Sequence, residues 1–213
     1  LGSSDTDSNN VAVGYNAGAG VTTGVQNTLI GAFAGDATTT ANENTAIGYT
    51  ALSANTTAAG NTAVGSRSLL ATTTGATNAG LGKDSLAANT TGASNTAVGA
   101  SSLASNTTAA NNTAVGKSAL LLNTTGQYNT VVGANAGDAI TTGNSNTMLG
   151  FNSGGATTTA GQNVALGQSS LTTNTTGSFN TAIGAEALLS NTTGANNVAV
   201  GYLALDANTT ASN

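Results

Sequence analysis

The side chains that could carry out chemistry are few and far apart in this sequence. The chain of 213 residues contains no Cys and no His, so thiolate chemistry, disulfides and the commonest acid–base side chain are missing. Its eight carboxylates are scattered: Asp5, Asp7, Asp36, Glu43, Asp84, Asp138, Glu186 and Asp206. The many Gly-x-x-Gly stretches do not form a phosphate-binding loop. We therefore predict that the protein is not an enzyme and holds no metal ion or cofactor.

Charge and hydropathy exclude two classes of partner. The only basic residues are Arg67, Lys83 and Lys117, and the net charge is −5. Three cations cannot neutralise a run of phosphates, so we expect no binding of nucleic acid. No segment approaches the length of apolar sequence that a membrane-spanning helix needs, so we expect no membrane insertion.

One 17-residue phrase, repeated without a slip, makes up almost the whole chain. Asn112–Tyr128 reads NTAVGKSALLLNTTGQY, and Asn129 starts the phrase again. We number the positions of each copy as slots 1 to 17. Slot 1 is occupied by Asn10, Asn27, Asn44, Asn61, Asn78, Asn95, Asn112, Asn129, Asn146, Asn163, Asn180 and Asn197. Residues 1–9 are predicted to be a partial repeat and residues 10–213 a single array of twelve coils, uncapped at both ends and part of a longer fibre.

The composition of the slots predicts an all-β fold. Slot 5 is always Gly, slots 13 and 14 are always Thr-Thr, and slot 4 is always Val, Ile or Leu. Gly, Asn and Thr disfavour helices, whereas a short β-branched run closed by Gly is typical of strands. We predict a parallel β-solenoid, or β-roll, with one coil per 17 residues and two short strands per coil. The slot 1 Asn side chains are predicted to form a structural ladder of stacked amides.

Slots 9 and 12 vary together in a way that predicts a packed core. Slot 9 is Leu in eight copies and Gly in the other four. In the four copies with Gly at slot 9, slot 12 is Val21, Thr38, Ile140 or Thr157. In seven of the eight copies with Leu at slot 9, slot 12 is Asn; the exception is the copy with Leu69 and Thr72. Because a β-branched residue appears where Leu disappears, we expect both slots to face inward. Alternation then predicts that slot 14 faces inward and slot 13 outward.

The first strand is apolar on both faces, which predicts a partner. We assign slot 4, represented by Val115, to the core of the coil. Slot 3, represented by Ala114, is then assigned to contact with another copy of the chain. Leu29, Val131 and Met148 at slot 3 favour a partner over a tolerated surface alanine. The resulting prediction is a homo-oligomer about an axis.

Candidate contact residues lie in the variable slots and in the Thr pairs. Tyr15, Tyr49, Phe151 and Tyr202 at slot 6 could stack on cell-surface glycans, as could Phe33, Tyr128 and Phe179, although their scatter favours simple packing or exposure. At slot 13, Thr56, Thr90, Thr107 and Thr124 are candidates for O-glycosylation, and the whole Thr column is a candidate ice-binding ladder. Asn-Thr-Thr sequons occur at slot 12, where an internal Asn ladder is expected instead of a glycan.

The phrase NTAVG…AL…NTTG resembles the repeats of phage tail-fibre-like proteins and of large bacterial surface fibre proteins. More distantly, NVAVG at Asn10–Gly14 and Asn197–Gly201 resembles a phrase of trimeric autotransporter adhesin heads. The resemblance implies parallel β-roll coils in a homotrimer, with the aliphatic strand toward the shared axis. It also implies a location outside the cell, at the cell surface or on a virion, and brings no catalytic residue.

The function predicted from these features is that of a structural shaft in an extracellular or virion fibre, giving length and rigidity. The partners expected are copies of the same chain, as a homotrimer or an end-to-end filament. Two alternatives stay open: a glycan-binding adhesin surface, and an ice-binding β-solenoid with an outward Thr ladder.

Overall fold

A computed structural model describes residues 9–212 of the chain. The chain comprises two compact units, Leu1–Ala109 and Ala110–Asn213. The predicted partial repeat lies outside the described residues except for Asn9, and so do Asp5 and Asp7.

Both units are built from one kind of strand, three residues long, at slots 2 to 4 of each coil. In the first unit the strands are β1 (Val11–Val13), β2 (Thr28–Ile30), β3 (Thr45–Ile47), β4 (Thr62–Val64), β5 (Ala79–Leu81) and β6 (Thr96–Val98). In the second they are β7 (Thr113–Val115), β8 (Thr130–Val132), β9 (Thr147–Leu149), β10 (Val164–Leu166), β11 (Thr181–Ile183) and β12 (Val198–Val200).

Within each unit every strand pairs in parallel with the strand of the next coil. The register is a shift of one copy, as in Ala46 opposite Ala63 and Val131 opposite Met148. No helix occurs among the described residues. The predicted all-β parallel β-solenoid with 17-residue coils is therefore confirmed.

Each described coil contains one strand, so the prediction of two strands per coil is wrong. The Asn-Thr-Thr stretch folds as a turn, and where slot 12 is Asn its side chain bonds the backbone of the turn: the Ala58 amide donates to Asn55 Oδ1 at 3.0 Å, and Asn55 Nδ2 donates to the Ala58 carbonyl at 3.0 Å. This turn contacts the next coil through hydrogen bonds that share one carbonyl acceptor: Thr39 N and Thr39 Oγ1 both donate to Thr56 O at 3.0 Å.

The turn also reverses the expected direction of slot 14. Thr57 is exposed, whereas Ala58 at slot 15 is buried. Regular alternation of side chains requires extended backbone, and the turn interrupts it. The prediction that slot 14 faces inward is therefore wrong, and the small residue after the Thr pair lines the interior instead.

The core of a coil is formed by slots 1, 3, 8, 9, 12 and 15. The coil that begins at Asn44 shows the pattern, with Ala46, Leu52 and Asn55 fully buried. The inward direction predicted for slots 9 and 12 is confirmed by these burials. In the last described coil, Leu205 at slot 9 is 51% exposed.

The assignment of the two strand faces has to be reversed. Ala114 at slot 3 is fully buried in the core, whereas Val115 at slot 4 is half-buried on the outside. The same holds in the other coils: slot 3 is buried in all but the first, and slot 4 is half-buried or exposed throughout.

The bulky slot 3 residues that suggested a partner have an internal cause. Leu29, Val131 and Met148 occur in coils whose slot 9 is Gly. A Cβ placed on Gly35 would lie 2.7 Å from Leu29 Cδ2, and one on Gly137 would lie 3.2 Å from Met148 Sδ. These side chains fill the volume that Leu at slot 9 fills elsewhere, so slot 3 compensates for Gly at slot 9 in three of the four Gly coils. The coil that begins at Asn10, with Ala12 at slot 3, is the exception.

Backbone conformation explains why slot 9 alternates between Leu and Gly. The position is left-handed in both cases, with φ of 54° at Leu52 and 53° at Gly137. A Leu there fills the core at a cost in backbone strain, and a Gly relieves the strain but needs bulk from slots 3 and 12. Slot 5 accepts only Gly because φ is 137° at Gly48 and a Cβ would lie 2.6 Å from the Gly65 carbonyl.

Buried Asn side chains join successive coils. Asn146 Nδ2 donates to Asn129 Oδ1 at 3.0 Å and to the Ala160 carbonyl at 3.0 Å. Asn146 Oδ1 accepts from the backbone amide of Asn163 at 3.1 Å and from its Nδ2 at 3.2 Å. Each slot 1 Asn of this kind therefore satisfies groups in its own coil and in both neighbouring coils.

Replacement of Asn146 by Ala is expected to lower the free energy of unfolding by about 3 kcal/mol or more. The change leaves the Asn163 amide and the Ala160 carbonyl buried without partners, and each such group costs about 1–3 kcal/mol. Asn144→Ala is the matched control because Asn144 is exposed and water can replace its bond to the Gln127 amide. Urea denaturation followed by circular dichroism measures both, and equal effects would contradict the ladder's role.

Thr38→Val is expected to raise the free energy of unfolding by about 1 kcal/mol. Thr38 is fully buried and its hydroxyl has no hydrogen-bond partner, which costs about 1–3 kcal/mol. Val21 occupies the same slot in the preceding coil, so the shape fits. The adjacent Thr39→Val is the control and should lose about 1 kcal/mol, since Thr39 Oγ1 donates to the Thr56 carbonyl at 3.0 Å. Destabilisation by Thr38→Val would show that its hydroxyl is satisfied.

Candidate interaction surfaces

The outer face of the strands is the most uniform apolar surface of each unit. We call it the strand face, and it consists of the slot 2 and slot 4 side chains. Slot 2 is Thr in eight coils and Val or Ala in the others. Slot 4 comprises Val13, Ile30, Ile47, Val64, Leu81 and Val98 in the first unit, and Val115, Val132, Leu149, Leu166, Ile183 and Val200 in the second. Exposure at slot 4 reaches 57% at Val13 and 67% at Val200.

The strand face carries no charged side chain in any described coil. The Asp, Glu, Lys and Arg residues of the described region occupy slots 6, 7, 10 and 17. Among them, Arg67 Nε lies 2.8 Å from Asp84 Oδ1, and Lys83 Nζ lies 3.9 Å from Asp84 Oδ2. A neutral surface of aliphatic and Thr side chains is suited to burial against another neutral surface.

The aromatic residues border the strand face. All seven occupy slots 6, 7 or 17, which are the corners just after and just before the strand. Three of them form a group that we call the aromatic cluster: Tyr15, Phe33 and Tyr49. The ring centroids of Tyr15 and Phe33 are 5.3 Å apart, and those of Phe33 and Tyr49 are 6.3 Å apart, both edge to face.

The other aromatic candidates are not brought together. Tyr128, Phe151, Phe179 and Tyr202 make no ring contact within residues 9–212. The sequence reasoning missed the cluster because Phe33 lies at slot 7 whereas its two neighbours lie at slot 6. The available signal was an aromatic residue at this corner in three successive coils.

The slot 13 Thr hydroxyls are used inside the solenoid. Thr90 Oγ1 donates to the Thr107 carbonyl at 3.0 Å, and Thr124 Oγ1 donates to the Thr141 carbonyl at 3.0 Å. Thr56 is half-buried, and its carbonyl accepts the equivalent bond from Thr39. Since these donors point along the stack of coils, the column offers little to an attached sugar or an ice lattice.

The slot 12 sequons lie in the interior. Asn55, Asn89, Asn106, Asn123, Asn174 and Asn191 are all fully buried. Asn106 Nδ2 donates to Asn89 Oδ1 at 2.8 Å, and Asn191 Nδ2 donates to Asn174 Oδ1 at 3.2 Å. These side chains form a second Asn ladder, and a glycan on any of them would not fit in the folded coil.

The carboxylates do not assemble into a site. No group of three Asp or Glu side chains that could hold a metal ion occurs in the described part of the chain. Asp138 at slot 10 stands alone: partial burial raises the pKa of its carboxyl, and hydrogen bonds from the Asp138 and Ala139 amides oppose the rise. None of the described residues belongs to a helix with the length and apolar character needed to cross a bilayer.

Comparison with known proteins adds no family to this geometry. No protein-family model, no curated protein and no solved structure matches the chain.

Proposed function

We propose that the protein is the structural shaft of an extracellular, cell-surface or virion fibre, giving that fibre length and rigidity. The observation that carries the proposal is the repeated junction between coils. In each unit one coil meets the next through the same strand pairing, the same slot 1 Asn ladder and the same core slots. A coil that presents matching surfaces on both sides can be stacked to any number, and each coil adds about 4.8 Å.

Rigidity follows from how little of each coil is free to move. Hydrogen bonds to the next coil occur at the strand, at both flanking corners and at the Thr pair, as at Thr45 N to Asn61 O, Leu52 N to Ser68 O and Thr39 N to Thr56 O. No described coil contains an inserted loop, because every copy has the same length. A bend would have to break several of these bonds at once, so the stack resists it.

The proposed partners are further copies of the same chain, joined through the strand face. The face is aliphatic at slot 4 in every coil, although the core of the coil does not need it. A second copy presents neutral side chains at the same spacing, so each coil can contact its counterpart. In a homotrimer about a shared axis each copy contacts both of the others, and we propose that the strand face supplies both contacts.

Adhesion is a second candidate, favoured by one observation, the aromatic cluster. Ice binding has less support because the slot 13 hydroxyls donate to carbonyls of the next coil. In the proposed homotrimer the strand face would be covered by the other copies, so it would not be open to a glycan or to ice.

Removing whole coils tests the shaft. Deletion of residues 129–162 takes out two 17-residue copies and is expected to give a folded protein whose longest dimension in solution is shorter by about 10 Å. Deletion of residues 129–160 is the control, because it removes two residues fewer and breaks the register of all later slots. Small-angle X-ray scattering measures the length. An unchanged length after the in-phase deletion would contradict the proposal.

Placing charges on the strand face tests the oligomer. The double variant Val64→Asp and Val132→Asp is expected to weaken self-association about tenfold or more, since carboxylates would be buried in the contact without partners. The control is Thr57→Asp with Thr142→Asp, two exposed slot 14 positions away from the face. Sedimentation velocity measures the oligomer, and circular dichroism checks the fold. A wild-type chain that stays monomeric at high concentration would rule out the contact.

A further inference from the structure

We infer that the aromatic cluster of Tyr15, Phe33 and Tyr49 is a binding track for a neutral oligosaccharide. The inference develops the adhesion candidate and is independent of the shaft: it concerns one corner of three coils, whereas the shaft depends on the junctions between coils.

The three rings form one continuous group along the stacking direction. Their centroids are 5.3 and 6.3 Å apart and neighbouring ring planes are 80° and 85° apart, so a sugar chain would meet ring faces and ring edges in turn. The corner backbone holds them in line, since the Phe33 amide donates to the Tyr15 carbonyl at 2.8 Å. The three rings therefore form one apolar patch across three coils, on which a short sugar chain can lie.

The rings are available to a ligand and are not needed by the core. Tyr15 is 70% exposed and Tyr49 is 57% exposed, whereas the core residues of the same coils, Ala17 and Leu52, are buried. Edge-to-face contact with Phe33 restrains both Tyr side chains, so less conformational freedom is lost when a ligand binds. Tyr side chains combine a large apolar face with a hydroxyl, which suits a ligand that has both C–H faces and hydroxyl groups.

Charge indicates that the sugar is neutral. No member of the cluster is charged, and the neighbouring Arg67 at the same corner is paired with Asp84 at 2.8 Å. Nothing in the cluster therefore offers a free cation to an acidic sugar.

Titration of the full chain with cellohexaose, maltohexaose and chitohexaose tests the inference. We expect at least one of these neutral hexasaccharides to bind, with saturation-transfer NMR signals that arise from aromatic protons. Tyr49→Ala and Tyr15→Ala should each weaken binding about fivefold or more by isothermal titration calorimetry. Phe33→Ala should weaken it as well, because both Tyr rings lose their contact.

Tyr202→Ala is the matched control. Tyr202 occupies the same slot 6, is 72% exposed and has no neighbouring ring, so its loss should leave the affinity within about twofold. Circular dichroism should be unchanged in all variants. Binding of none of the three sugars, or equal weakening by Tyr202→Ala and Tyr49→Ala, would overturn the inference. Either result would leave the coil-deletion test of the shaft unaffected.

Discussion

The rest of the structure depends on the hydrogen bonding of the buried Asn side chains. A coil of 17 residues encloses too little volume for a core made only of large apolar side chains, and its many corners leave backbone groups pointing inward. The slot 1 Asn side chain fills part of this volume and satisfies the inward-pointing backbone groups. Asn61, for example, bonds Gly75 of its own coil and Asn78 of the next coil. In the seven coils with Asn at slot 12, a second buried amide bonds the backbone of its own turn, as Asn55 does with Ala58. The energetic unit is therefore the junction between two coils.

This dependence explains why the copies of the repeat are so similar in sequence. A single unmatched Asn would leave several buried groups unsatisfied, so the positions in the ladder tolerate little change. The apolar residues that fill the core vary more from coil to coil. The coil of Leu29 and Gly35 and the coil of Ala46 and Leu52 reach a filled interior by different means. In these two coils bulk at slot 3 and bulk at slot 9 replace each other.

Much of the fold could be predicted from sequence because the period is fixed and the invariant residues have few physical uses. The parallel solenoid, the coil length and the inward slots 9 and 12 follow from that. The two faces of the strand could not be distinguished, since both are apolar. The larger Val115 was expected to face the interior, and the smaller Ala114 was expected to face outward. The occurrence of Leu29, Val131 and Met148 in copies with Gly at slot 9 indicates that slot 3 faces the interior. Slot 14 was misplaced because alternation was extended through Thr57, where the side chain of Asn55 has already turned the backbone. The aromatic cluster depends on corner geometry that spacing alone does not give.

The Asn ladders also give the solenoid a polarity. In the first ladder Asn44 donates through its amide and Nδ2 to Asn27 Oδ1, and Asn27 donates in the same sense to Asn10. The second ladder runs the same way, as Asn106 donates to Asn89. At slot 1, each coil therefore offers Asn donors to the preceding coil and an Asn acceptor to the following coil. A head-to-tail junction between two stacks continues this ladder, whereas a head-to-head junction would set Asn acceptor against Asn acceptor at slot 1. Any fibre extended by this junction would have a fixed direction, so its two ends would be chemically different and only one could match a given anchor.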